Sequence, residues 1–348
     1  MVTGVQQVGI GVTDVESIWK WYRKWFGLDV QIFDDEAEAK LMIQYTGGEV
    51  HSRRAVMALN MQGGGGVEIW QFKSRTPQPA QFKILPGDLG INVMKLKSAD
   101  VRRSHDIFKE DKNIEVSDLH FAPDDGPTFY VKDPNGNIFQ FVESESWFNL
   151  RKGHCGGGCG VVIGVSDMNK AIDFYKTLLD GARTVYDQTD GWNGMPGTED
   201  IKCTYRRVLL RKKFIPKGAF SELLGHIDIE LVQCIGREPN KIFKDRWWGD
   251  LGFIHLCLDV YDMDALKAKL ATQGHHFTVD SADFFDMGEA AGRFTYAEDP
   301  DGTLIEFVQT HKVPIMKKWN WYINVNAKKP KPLPRWMVKS LGFNRVKD

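Results

Sequence analysis

This chain repeats itself, and the repeat limits its architecture more than any other feature. The segment from Val5 to Val30 reads VQQVGIGVTDVESIWKWYRKWFGLDV, and that from Cys159 to Val185 reads CGVVIGVSDMNKAIDFYKTLLDGARTV. Each gives a short alternating strand, then Asp14 or Asp167, then an amphipathic helix ending at Gly27 or Gly181. The aspartates stand where an N-cap accepts hydrogen bonds from free backbone N–H groups. The glycines stand where a left-handed C-cap is wanted. Val15, Ile18, Trp19, Tyr22 and Phe26 recur at helical spacing, as do Met168, Ala171, Ile172, Tyr175 and Leu179.

A second signature falls elsewhere. FYVKDPNGNIFQFVE, from Phe129 to Glu143, matches FTYAEDPDGTLIEFVQ, from Phe294 to Gln309. Asp-Pro-Asn-Gly and Asp-Pro-Asp-Gly are hairpin turns, with glycine supplying the positive φ. The strand after each turn alternates, which puts Gln140 and Glu306 in the same slot. Fitting the pieces gives an α+β chain of four βαβββ units, at about 4–75, 86–146, 158–236 and 249–311. Linkers follow from composition at 76–87, 151–160 and 237–249. The expected division is residues 1–150 with units one and two, 151–311 with units three and four, and a tail, 312–348. Unit four opens on FIHLCLDVYDMDALKAKL with Asp262 as its cap; unit two, LGINVMKLKSADV, leaves its register open by a few residues.

The tail is distinct in charge. Residues 312–348 hold ten Lys/Arg and one acid, so with a net charge of −1 the preceding chain carries about −10. Trp319, Trp321 and Trp336 lie in the tail, which is expected to pack its aromatics on the acidic body rather than to seek nucleic acid or a membrane. Five cysteines is an odd number at low density, which favours a reducing compartment over a disulfide framework. No signal peptide and no apolar run of bilayer length is evident. The expectation is a soluble, cytoplasmic protein acting on a small molecule, with no nucleic-acid or membrane partner. A monomer suffices for the site, and a homodimer stays open.

A strand-helix opening, a D-P-[ND]-G turn and a final strand bearing Glu or Gln resemble the glyoxalase, bleomycin-resistance and extradiol-dioxygenase superfamily, the vicinal oxygen chelate proteins. The resemblance covers about residues 4–311. It implies that two modules pair so that their sheets form an eight-stranded cup, giving two cups in this chain. It also implies that metal ligands come from the first and last strand of each module. The first-strand slots are Gln7, Gly160 and His255, each seven residues before its aspartate. Unit two offers Asp88, Ile91 or Val93. The last-strand slots are Glu68, Gln140, Glu230 and Glu306.

Pairing decides which slots meet. Neighbour pairing gathers Gln7, Glu68 and Gln140 in one cup, and Glu230, His255 and Glu306 in the other. Crossed pairing, one with four and two with three, gathers Gln7, Glu68, His255 and Glu306. The latter reproduces the ligand set of the superfamily's eukaryotic glyoxalase I and is preferred. Such a set suits one divalent ion (Zn, Ni, Co, Mn or Fe(II)) with open positions. The implied chemistry is that of a metal-dependent lyase, isomerase or epimerase: proton transfer next to a carbonyl or enediolate oxygen held by the metal. Glu306 is the expected base, and Glu68 its counterpart across the cup. The positions that contact glutathione in glyoxalase I are here Gly11 and Phe72, which points to a less charged substrate. Two alternatives stand: an Fe(II) extradiol-type dioxygenase, and a metal-free binder of aromatic ligands.

Plainer readings apply to several features. A lone histidine in an apolar strand such as GFIHLCLDV usually belongs to the core. The run His154-Cys155-Gly-Gly-Gly-Cys159 lacks zinc-motif spacing and reads as a linker. Gly63 to Gly66 lacks the Lys-Ser/Thr and helix of a phosphate loop and reads as a hairpin.

Overall fold

The computed structural model describes residues 1–150, 153–199, 202–281, 285–286, 291–316, 321–325 and 330–347. Module one is β1 (Val2–Gly11), α1 (Val15–Phe26), β2 (Val30–Glu38), β3 (Ser52–Leu59) and β4 (Gly66–Phe72). Module two is β5 (Gly90–Ser98), α2 (Val101–Lys109), β6 (His120–Phe121), β7 (Pro127–Lys132) and β8 (Ile138–Glu143). Module three is β9 (Gly158–Gly164), α3 (Met168–Leu179), β10 (Arg183–Asp190), β11 (Thr204–Lys212), the short α4 (Ser221–Leu224) and β12 (Ile227–Ile235). Module four is β13 (Gly252–Val260), α5 (Met263–Ala271), β14 (Val279–Asp280), β15 (Phe285–Asp286), β16 (Ala291–Glu298) and β17 (Leu304–Met316).

Each long helix starts on an aspartate. Asp14, Asp100, Asp167 and Asp262 accept backbone N–H bonds of 3.0–3.1 Å from the first turn. Gly27 ends α1 at φ 60°, a conformation that favours glycine. The Asp100 cap settles the register of module two: seven residues before it stands Val93.

Modules pair across the chain. One sheet runs β14-β16-β17-β13-β1-β4-β3-β2, from modules four and one, with β15 and β18 (Trp321–Asn324) added on β16 and β17. The other runs β10-β11-β12-β9-β5-β8-β7-β6, from modules three and two. Two cups result, and the crossed order is the one adopted. Within every module the first and last strands are parallel neighbours in a single register. Gly9 faces Glu68, Lys95 faces Gln140, Val162 faces Glu230 and Cys257 faces Glu306. In each case the first-strand partner lies two residues past the slot residue Gln7, Val93, Gly160 or His255. The slots predicted from the repeat are therefore equivalent in space.

Helices follow the opposite pairing. The Tyr22 hydroxyl of α1 donates to Asp133, in the turn of module two, at 2.6 Å. The Tyr175 hydroxyl of α3 donates to Asp299, in the turn of module four, at 2.9 Å. Both aspartates also hold their own turns through backbone N–H bonds of 2.8–2.9 Å. Phe26 and Phe108 pack between α1 and α2 in the same spirit, at 6.2 Å between ring centroids. Modules one and two, and three and four, thus share helix contacts, while one and four, and two and three, share sheets.

The two glycine runs meet at the junction of the sheets. Gly157 donates to the Gly63 carbonyl at 2.8 Å, and a Cβ on Gly157 would lie 2.3 Å from the Gly65 carbonyl oxygen. Close backbone approach, not ligand binding, accounts for both runs.

The tail returns to the first sheet. After β18 come α6 (Arg335–Ser340) and a 3-10 turn over Leu341–Asn344, with Val338 and Leu341 buried. Arg335 pairs with Glu222 at 2.7 Å, and Arg345 pairs with Asp29. Charge opposition with the body is realised, but the aromatic anchoring is not as expected. Trp336 is 59% exposed, because the helix turns its aliphatic face inward. Trp321 enters β18, and Trp319 lies outside the described residues. Among the described residues no helix is long and apolar enough to cross a membrane.

Candidate metal centre

The sheet order β17-β13-β1-β4 sets the four strands that carry the candidate ligands side by side at the middle of the first cup. Glu306, His255, Gln7 and Glu68 project from them. One ligand atom from each of Glu68, His255 and Glu306 lies within 4.8 Å of the others. His255 Nε2 is 3.0 Å from Glu306 Oε2 and 3.4 Å from Glu68 Oε2. Neither ring nitrogen has a partner in hydrogen-bond geometry, and the Gln7 amide oxygen is buried without a partner. Gln7 Nε2 stands 3.5 Å from Glu306 Oε2.

The imidazole is fixed by its surroundings. It lies on the backbone of Gly9, where a Cβ would come within 2.3 Å of its Cε1. Trp248 stacks on it at 6.3 Å and Tyr296 meets it edge-on at 5.5 Å. Burial works against the imidazolium, but Glu306 and then Glu68 outweigh burial and raise its pKa to about 9. Burial also works against the Glu68 carboxylate, yet His255 first, and Arg53 after it, hold Glu68 below its usual range. Two carboxylates and one imidazolium leave the pocket a net negative charge. A buried group of that sign calls for a cation. One imidazole, two carboxylates and an amide oxygen are a donor set that fits a divalent ion.

Above the centre opens a cavity of about 570 Å³. Its walls include Phe33, Met57, Trp70, Trp248, Phe294 and Leu341.

Over residues 153–307 the sequence matches the model of the Glyoxalase/Bleomycin resistance protein/Dioxygenase superfamily. Modules one and two repeat the same unit in space. Residues 153–307 carry the sequence signature of this superfamily. No curated protein matches it in sequence. Among solved structures, glyoxalase I from Zea mays superposes with a TM-score of 0.52 at 12% identity, over 88% of this chain and 92% of that one. A candidate dioxygenase from Bacillus subtilis subsp. subtilis str. 168 superposes with a TM-score of 0.57 at 14% identity, over 88% and 85%. At such identities the likeness is one of fold, and this superfamily fold hosts several chemistries.

The second cup holds the other slots and no metal cluster among the described residues. Val93 is apolar. Gly160 is a glycine because a Cβ there would lie 1.7 Å from the Asp228 carbonyl oxygen. Gln140 donates to Thr128 Oγ1 at 3.0 Å. Glu230 is fully buried between two cations: Lys95 Nζ at 2.5 Å and Arg207 Nε at 2.7 Å. Burial raises its carboxyl, but Arg207 and then Lys95 prevail and hold it at about 2.

Three residues of these sites escaped the sequence reading. Tyr296 stands opposite Glu306 across the hairpin, and burial first, with the Glu306 carboxylate next, pushes its hydroxyl well above the usual range. Its signal was available, since the Asp-Pro-Asp-Gly turn sets that register. Lys95 and Arg207 are buried on strands of the second cup, VMKLKS and RRVLLRK, and a buried cation implies a buried partner.

Proposed function

We propose that the chain is a metal-dependent enzyme of the lyase, isomerase or epimerase kind. It transfers a proton at a carbon next to an oxygen, with Gln7, Glu68, His255 and Glu306 holding one divalent ion. The observation that supports this is the buried Glu68–His255–Glu306 cluster beside the unpartnered Gln7 amide oxygen, on the floor of an apolar cavity. A bound divalent ion would supply Lewis acidity, lowering the barrier to removing the adjacent proton. Glu306 is the base, carried on β17 with Tyr296 opposite it on β16. Glu68 faces it across the cup and takes part in the return of the proton. Trp70, Trp248 and Phe33 exclude water and orient the apolar part of the substrate.

Glutathione is disfavoured as that substrate. At Gly11 a Cβ would lie 2.0 Å from the Asp250 carbonyl oxygen, which leaves no room for a cationic side chain. Phe72 is buried against Trp70 at 4.6 Å. Ring cleavage by Fe(II) is disfavoured too, since that chemistry uses two imidazoles and one carboxylate and this centre has one imidazole and two carboxylates. The deciding measurement is metal content of the purified full-length protein, followed by chelation. One equivalent of a divalent ion, with chelation abolishing solvent-deuterium exchange into 2-hydroxy or 2-oxo compounds, is the expected result. Protein without stoichiometric metal would overturn the proposal in favour of a binding role.

A further inference from the structure

Arg53 stands on β3 with Met57 and Leu59, and all three line the cavity of the first cup. Its side chain is only 11% exposed. Nη1 donates to the Asp35 carbonyl at 2.9 Å and to the Asp35 carboxylate at 3.0 Å. Among the described residues neither Nε nor Nη2 bonds to protein. Five other arginines of the two sheets behave differently. Arg54 closes the Nε/Nη2 edge on Asp34, Arg206 on Asp187, Arg211 on Asp228 and Arg293 on Asp280. Arg207 does the same on Glu230 in the second cup. Asp35 therefore orients the Arg53 guanidinium without using the edge that matches a planar anion.

That edge is a two-point receptor for a carboxylate. Lys40, another cation of the lining, is exposed and pairs with Glu38 at 3.1 Å. A dianion such as a phosphate ester would face Asp35, Glu68 and Glu306 together, whereas a single carboxylate balances the one guanidinium. Arg53 opposes Phe72 while Met57 opposes Glu68. Four residues of strand, roughly 13 Å, thus separate the Arg53 backbone from the level of the centre. The space between is walled by apolar side chains.

We propose that the substrate is an apolar carboxylic acid whose carboxylate is bound by Nε and Nη2 of Arg53, while its oxygenated, reacting carbon lies at the Glu68–His255–Glu306 centre. The reacting end rests on the metal-centre reading given above; the recognition of the carboxylate stands on Arg53 alone.

Binding of 6-phenylhexanoate and of its amide, 6-phenylhexanamide, tests this by calorimetry on the full chain at neutral pH. The acid is expected to bind at least roughly tenfold tighter than the amide, the worth of a charge-assisted pair of hydrogen bonds. Arg53→Gln brings that ratio near one, and Arg53→Lys, which keeps the charge without the fork, gives an intermediate ratio. Equal binding of acid and amide to the unaltered protein would overturn the inference, as would a ratio untouched by Arg53→Gln. His255→Ala leaves the ratio in place. A ratio lost in His255→Ala yet kept in Arg53→Gln would put the carboxylate at the centre and also overturn it. Protein that purifies without metal but shows the Arg53-dependent ratio would sink the metal-centre reading and uphold this one.

Discussion

The two cups share one backbone plan and solve opposite electrostatic problems. In the first, two carboxylates face one imidazole beneath an open cavity of about 570 Å³. In the second, a single carboxylate, Glu230, is enclosed by Lys95 and Arg207. The loops that cap them differ as well. Between β10 and β11, Trp192 and Met195 turn into the second cup and are 2% and 1% exposed. Trp192 donates to the Tyr130 hydroxyl at 3.1 Å and lies under the Arg207 guanidinium at 4.6 Å. The matching loop of the first cup, between β2 and β3, forms a 3-10 turn over Lys40–Tyr45 that lines the rim instead. One fold can thus serve as a site or as a core. The side chains of two loops and a few strand positions decide which.

The sharpest way to break this comparison is to count metal. Glu68→Ala and His255→Ala are expected to lower divalent-metal affinity by more than a hundredfold, read by mass spectrometry of metal after dialysis. Glu230→Ala leaves the stoichiometry unchanged. Metal lost on Glu230→Ala and kept on Glu68→Ala would move the site to the second cup. Glu306→Gln retains most metal affinity and loses turnover, because an amide still donates an oxygen but accepts no proton.

Stability should show the reverse asymmetry. Glu230→Ala strands two buried cations and is expected to cost about 3–5 kcal/mol in urea unfolding. Trp192→Ala opens a cavity in the same cup at a cost of about 3–5 kcal/mol. Acidity separates the ion pair from simple packing. The Glu230 carboxyl, at about 2 in the fold, lies below the roughly 4.3 of an unfolded chain. Its contribution is present in full above the unfolded value and fades as pH falls through the folded one. The cost of Glu230→Gln should therefore be constant above about pH 5 and shrink toward pH 2. A cost independent of pH over that range would mean that the ion pair contributes packing alone.

Much of this was legible before any coordinates. The four aspartate caps and two Asp-Pro-X-Gly turns define units whose slots then coincide in space. Crossed pairing was legible only through the resemblance, since it alone gathers Gln7, Glu68, His255 and Glu306, the set that eukaryotic glyoxalase I implies. The pairing of helices by neighbours was hidden, although Tyr22 and Tyr175 occupy matching places in the repeat. A tyrosine on a helix gives no sign of which turn its hydroxyl will reach. Trp192 was likewise invisible, because a tryptophan in a polar loop reads the same whether it plugs a cup or lies on the surface.

The smallest effects concern the tail, which adds one wall to the open first cup where Trp192 fills the second. Aromatic content suggested that tryptophans hold it down, yet Trp336 is exposed while Leu341 is buried and lines the cavity. Burial rather than residue size sets the cost of truncation. Leu341→Ala should destabilise the protein by about 2–3 kcal/mol, within the usual span for a buried leucine. It should also weaken binding of apolar ligands in the cavity, since it removes part of their wall. Trp336→Ala should stay within about 0.5 kcal/mol, as exposed substitutions do. Thermal unfolding of both variants, with and without 6-phenylhexanoate, measures the pair directly. If Trp336→Ala proved the costlier change, the tail would be anchored by its aromatic face, and the wall assigned to Leu341 would have to be redrawn.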